Sequence, residues 1–204
     1  MQNMVNENKK YKAIIMFGPP GIGKGTQASM LGKLNGFFHF TTGGMFRAMD
    51  KESEIGKKVS ALIDAGSFVP DNLTVELFFK TLEEYEKEGK LNSEMQILIL
   101  DGIPRNAPQV FLLKDKVEVI KIISLISSDD DMLVERIKKR AGLEGRKDDN
   151  IDILKKRLET YRRETAAVLS KYPKELILEI DGFGKIETIY EEIIEKLEAE
   201  NFLK

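Results

Sequence analysis

An apolar stretch, Ile14-Ile15-Met16-Phe17, runs directly into Gly18-Pro19-Pro20-Gly21-Ile22-Gly23-Lys24-Gly25-Thr26. Glycines at this spacing let successive backbone N–H groups turn inward around an anion, and the lysine adds a cation at the rim. The general pattern of such a phosphate loop is Gly, four residues, Gly, Lys, then Ser or Thr. Here Gly25 takes the last place and Thr26 follows it. The motif has meaning only between a strand and a helix, and both are present: the apolar run before it, and a helical stretch predicted over 27–34 after it. That context commits the chain to a sheet whose strands deliver loops to one edge.

The rest of the sequence agrees. Short apolar runs recur at Ala13 to Phe17, Phe37 to Phe40, Ile97 to Leu100, Val119 to Ile126 and Leu176 to Ile180. Their apolar positions are consecutive rather than alternate, as in strands covered on both faces of a parallel sheet. Between them lie helical spacings: Leu133 with Ile137, then Ile153, Leu154, Leu158 and Tyr161, then Ile186, Ile189, Ile193 and Leu197. Alternating strands and helices predict a doubly wound α/β fold, which binds ligands beyond the carboxyl ends of its strands. With 204 residues the chain reads as one domain. Ala141 to Gly145 is the one linker-like stretch, and residues 1–10 read as a loose polar arm.

A second strand exit carries Ile97-Leu98-Ile99-Leu100-Asp101, followed by Gly102-Ile103-Pro104-Arg105-Asn106. A carboxylate at that point suits the metal ion of a bound nucleotide, and the guanidinium fork suits a phosphate. The net charge of −2 argues against a polyanion binder held by overall attraction. Against that background Arg136, Lys138, Lys139, Arg140, Arg146 and Lys147 form a local cluster opposed only by Glu144, with Arg157 on the next helix. Lys138 and Lys139 read as a solvated face, and the arginines as a converging group for polyphosphate. The absence of cysteine removes disulfides, thiolate metal sites and cysteine nucleophiles. No apolar run is long enough for a secretory signal or a membrane span, so a cytoplasmic protein without membrane or nucleic-acid partners is expected, monomeric by default. His39, the Met residues and Tyr161 read as packing residues.

Taken in order, these residues resemble the adenylate kinases among the nucleoside monophosphate kinases, over nearly the whole chain. The resemblance implies a P-loop nucleoside-triphosphate hydrolase-like three-layer fold, with a five-stranded parallel sheet and helices on both faces. It implies reversible transfer of the γ-phosphoryl group of MgATP to AMP, giving two ADP. By resemblance, Gly21, Ile22, Gly23, Lys24, Gly25, Thr26, Arg136, Arg140 and Gly184 bind ATP. Thr42, Arg47, Ser67, Phe68, Val69, Gly102, Ile103, Pro104, Arg105, Gln109, Arg146 and Arg157 bind AMP. Lys24, Arg105, Arg140, Arg146 and Arg157 serve the transfer, and Asp101 stands near Mg²⁺ through water. A monophosphate-binding segment is expected at about residues 41–70 and a short lid at about 140–146, a form that carries no structural zinc.

Two positions depart from the family. Gly44 stands where an Asp is usual, which keeps open a nucleotide-binding regulatory protein without turnover. Asn106 stands where adenylate kinases commonly have Thr and UMP/CMP kinases have Asn, which keeps a pyrimidine acceptor open. Gln109 points the other way, since a carboxamide can pair with the donor and acceptor edge of adenine. No nucleophilic side chain or general base is required, because the acceptor is an ionised phosphate oxygen; positioning and charge neutralisation suffice.

Overall fold

The computed structural model describes residues 10–203 apart from 66, 68, 128 and 145–150, and only the backbone at 130, 139–144, 151–155, 157, 165 and 166. Among the described residues, five strands form one parallel sheet: β1 Tyr11–Phe17, β2 Phe37–Thr41, β3 Ile97–Asp101, β4 Val117–Ile126 and β5 Ile177–Asp181. Their order is β2-β3-β1-β4-β5. Each of the five apolar runs named from the sequence therefore falls on a strand, and the strands are parallel as expected.

Alternation of side chains across β1 divides the core. Ala13, Ile15 and Phe17 face one layer with Phe78, Leu82, Leu113 and Val168. Those four come from α4 Asp71–Lys87, α5 Ala107–Leu113 and α7 Ile151–Leu169. Ile14 and Met16 face the other layer with Ala28, Leu31, Leu133, Ile137, Ile193 and Leu197. These belong to α1 Lys24–Leu31, α6 Asp130–Glu144 and α8 Ile186–Ala199. Burial on both faces is why β1 is apolar at consecutive positions. Phe78, fully buried, meets Phe40 edge to face with ring centroids 4.9 Å apart, an arrangement that adds to simple burial.

Lys121 interrupts the apolar run of β4 and yet is buried, its side chain 4% exposed. The Nζ donates to Glu175 O at 2.9 Å and pairs with the Glu200 carboxylate. The buried charge is thus compensated, and it ties the end of α8 to the start of β5.

Two boundaries differ from the sequence reading. α1 occupies 24–31 rather than 27–34: Gly23, at φ +108, starts the helix directly from the loop, and Gly32 ends it against His39. The loop geometry overrides the poor helix propensity of Gly25 and Thr26. Residues 141–144, read as linker-like, continue α6. A single Gly142 among Ala141, Leu143 and Glu144 costs a helix only about 1 kcal/mol.

The chain order places the site. From β1 the chain crosses to β2, returns to β3 beside β1, and then crosses β1 to reach β4. Connections leave β1 and β3 in opposite directions, and the crevice above them is where such folds take ligands. Met16 and Thr41 are both level with Asp101 in register, so β1, β2 and β3 end at one height.

Candidate functional site

At that height the phosphate loop leaves β1. Gly18, Gly21 and Gly23 have φ of +145°, +85° and +108°, values that L side chains rarely adopt. A Cβ on Gly21 would also stand 2.7 Å from Leu133 O, so the loop lies tight against α6. Ile22, 1% exposed, pins the loop into the core between the glycines. Lys24, half-buried in the first turn of α1, folds its Nζ back to Gly18 O at 2.7 Å and Pro19 O at 3.0 Å. The ammonium thus spans the mouth of the loop, beside the backbone amides of a helix N-terminus.

Asp101 ends β3 beside this loop. Its Oδ2 lies 3.2 Å from where a Cβ on Gly25 would stand. The place of the usual Ser or Thr is therefore given up to the approach of a carboxylate. Among the described residues no three His, Asp or Glu side chains gather as ligands. A hard cation held by one carboxylate, water and the phosphates of its own substrate fits this donor set, and Mg²⁺ is such a cation. His39, in β2, lies close enough for the Asp101 charge to act on it, yet burial outweighs that charge and lowers its pKa below 6.5. Its Nε2 has no hydrogen-bond partner among the described residues. His39 is thus held as a neutral sheet residue behind the carboxylate. Burial also pushes the Tyr161 hydroxyl up to about 12, in keeping with a packing role.

A second group assembles on the β2 side. Gly102, at φ +90°, brings the chain out of β3 so closely that a Cβ there would meet Thr42 Oγ1 at 2.5 Å and Arg105 Nη2 at 3.2 Å. Thr42 Oγ1 donates to Gly102 O at 3.2 Å and Arg105 Nε donates to the same oxygen at 2.8 Å. Thr42 opens α2 Thr42–Ala48 and is buried; Arg47 stands in its last turn, with Nη1 folded back to 3.0 Å from where a Cβ on Gly43 would stand. Ile103 is fully buried and Pro104 is buried, which anchors the loop that presents exposed Arg105. The Arg105 N–H donates to Gln109 Oε1 at 2.7 Å, and Gln109 Nε2 donates to Asp71 Oδ1 at 2.7 Å.

Both family departures acquire a structural setting. A Cβ on Gly44 would stand 2.9 Å from Thr41 Cγ2, so glycine fits the start of this α2. Asn106 is the N-cap of α5: its Oδ1 accepts the Gln109 N–H at 3.0 Å and its Nδ2 donates to Asp71 Oδ1 at 2.9 Å. Its carboxamide is engaged within the protein at both ends. Asp71, at the first position of α4, is the residue that sequence reasoning passed over. An acid directly after a proline at a helix start was the available signal.

On the opposite side Arg136 is half-buried and bound to backbone. Nη1 donates to Ile22 O at 3.2 Å and Gly182 O at 3.1 Å, and Nη2 donates to Gly184 O at 3.2 Å. One guanidinium therefore joins the phosphate loop to the exit of β5. Around that exit Ile126, Phe183 and Ile186 are 45%, 61% and 49% exposed and form an apolar rim.

Ser67 and Val69 lie before α4, the Ser67 N–H donating to Leu62 O at 2.8 Å at the end of α3 Glu54–Asp64. Phe68 and Arg146 lie outside the described residues, as does the end of the expected lid. Arg140 and Arg157 belong to α6 and α7, which pack together, but their side chains are not described. Among the described residues no helix is long and apolar enough to cross a membrane.

Comparison with known proteins adds an independent finding. A family model described as adenylate kinase matches residues 16–177. A protein named adenylate kinase from Prochlorococcus marinus is 37% identical over 190 residues, covering 90% of this chain and 97% of its own. One of the same name from Clavibacter michiganensis is 36% identical over 187 residues, covering 88% and 90%. A third, from Kocuria rhizophila, is 35% identical over 191 residues, covering 91% and 98%.

Proposed function

The chain belongs to the adenylate kinase family, and from that premise we propose that its two residue groups are two nucleotide subsites between which a phosphoryl group passes. ATP lies on the phosphate loop, its β- and γ-phosphates against the amides of Gly21 to Thr26 and the Lys24 ammonium. Its base rests on the rim beside Gly184, on a wall that Arg136 holds together. AMP lies in the second group, its phosphate on Arg105 and Arg47 near Thr42, its base between Gln109 and the stretch Ser67 to Val69. The observation that carries this reading is that β1 and β3, adjacent in the sheet and level at Met16 and Asp101, deliver both groups to one crevice.

Transfer then needs no nucleophilic side chain. The AMP phosphate oxygen attacks the γ-phosphorus in line, the bond to the β-bridging oxygen breaks, and two ADP result. When bound, Mg²⁺ neutralises charge on the phosphates, and Asp101 would hold it through water. Lys24 and Arg105 approach the transferred group from the two subsites, joined by Arg140, Arg146 and Arg157 from the side of α6 and α7. Water must be kept out, because an open crevice would hydrolyse ATP, so residues 41–70 and 140–146 are the segments that close.

Acceptor choice tests the reading. With MgATP and each of AMP, CMP, UMP and GMP in turn, kcat/KM is expected to be highest for AMP by at least about tenfold, as loss of a matched polar contact implies. A preference for UMP or CMP would instead make this a pyrimidine monophosphate kinase.

A further inference from the structure

Gln109 is held so that its amide can point only one way. Its Nε2 donates to Asp71 Oδ1 and its Oε1 accepts the Arg105 N–H, each at 2.7 Å. An ionised carboxylate only accepts and a backbone N–H only donates. Turning the amide over would therefore set acceptor against acceptor at one end and donor against donor at the other. Asn106 braces the arrangement, with Nδ2 on the same Asp71 oxygen at 2.9 Å and Oδ1 on the Gln109 N–H at 3.0 Å. Gln109 is 4% exposed, so water cannot relieve a mispaired group.

We propose that Asp71, braced by Asn106, sets the base specificity of the monophosphate subsite by locking the polarity of the Gln109 amide; this rests on the reading that Gln109 faces the base. Asp71 is a positioning residue acting through Gln109. Each end of the amide keeps one further hydrogen-bonding place: the second hydrogen of Nε2 and the second lone pair of Oε1. The base therefore meets one donor and one acceptor in fixed order. Adenine carries a ring-nitrogen acceptor beside an amino donor, and cytosine has the same order. Hypoxanthine and uracil carry a ring N–H beside a carbonyl, the reverse order. With its phosphate anchored at Arg105, a base cannot turn over to compensate. The lock thus favours AMP over IMP, which differ at this edge and little in size, and it opposes UMP more than CMP.

The test is the ratio of kcat/KM for AMP to that for IMP, with MgATP as donor, in the native protein and in Asp71→Asn, Asp71→Ala and Gln109→Ala. An asparagine at 71 replaces the charged acceptor with a weaker neutral one, and an alanine removes the acceptor. Both Asp71 variants are expected to lower the ratio about tenfold or more, the effect of releasing one opposed polar contact. Two replacements are used so that a folding defect in one leaves the other informative. If AMP and IMP turnover fall together and the ratio stays, Asp71 only supports the Arg105 loop and the inference is wrong. If Gln109→Ala lowers the ratio but the Asp71 variants do not, the lock fails while Gln109 remains at the base. If Gln109→Ala leaves the ratio intact, the placement of Gln109 at the base fails, and the lock with it.

Discussion

Replacing Lys24 with methionine is expected to lower kcat for ADP formation about a thousandfold, the scale of removing a cation or donor aimed at charge in a transferring group. Methionine keeps the length and apolar stem of lysine but has no charge. In the structure the ammonium holds Gly18 O and Pro19 O, two hydrogen bonds whose net worth is about 1–3 kcal/mol together. In a chain of this length that lowers Tm by about 2–12 °C. A folded Lys24→Met protein with near-normal kcat would show that the Lys24 ammonium does not act on the transferred group.

The second large effect is expected at Arg105. Arg105→Ala should lower kcat/KM for AMP about a hundredfold or more, since truncating one partner of a charged pair costs about 2–5 kcal/mol, and it should leave the KM for ATP nearly unchanged. The selectivity follows from position. Arg105 follows Gly102 out of β3 and shares its carbonyl with Thr42 from the end of β2, on the side of the sheet away from the Arg136 wall. Arg105→Lys should recover only part of the loss, because Nε is already committed to Gly102 O and an ammonium cannot keep that bond while forking on a phosphate. Steady-state kinetics with each substrate varied in turn checks both statements. An equal rise in both KM values would contradict the assignment of Arg105 to one subsite.

Much of this architecture is legible in the residues because the sheet is buried on both faces. Consecutive apolar positions at Ile14 to Phe17 and Ile97 to Leu100 fit little besides doubly covered strands once a phosphate loop follows the first. Lys121 shows the limit: it breaks the run in β4 yet stays inside, because Glu200 and the Glu175 carbonyl, far along the chain, meet its charge. Among the helices of residues 42–87, α3 does keep helical spacing at Ile55, Val59 and Leu62, a signal that sequence reasoning passed over. α2 contains Gly43 and Gly44 and depends on contacts made by Thr42 and Met45, not on propensity.

The site divides in the same way. The glycines, Lys24 and Arg105, which we propose approach phosphate, carry a type signal and can be named from sequence. Residues that organise the site do so through backbone and amide contacts across long separations. Arg136 reads as a phosphate ligand, yet it binds three carbonyls from two loops. Asn106 reads as a departure that keeps a pyrimidine acceptor open, and in the structure it caps α5 and holds Asp71. Neither arrangement leaves a mark in spacing, because each depends on which loops the fold brings together.

The most direct test of the central claim follows the phosphorus NMR spectrum of the protein with MgATP, first alone and then with AMP. Transfer between two subsites in a closed crevice predicts little inorganic phosphate in the first sample. In the second, ATP and AMP resonances should fall together while ADP rises at two per ATP consumed, and the reaction should reverse when ADP is supplied alone. Release of inorganic phosphate at a rate indifferent to AMP would contradict the account, because it would mean that water, not a bound monophosphate, receives the group from the loop at Gly18 to Thr26.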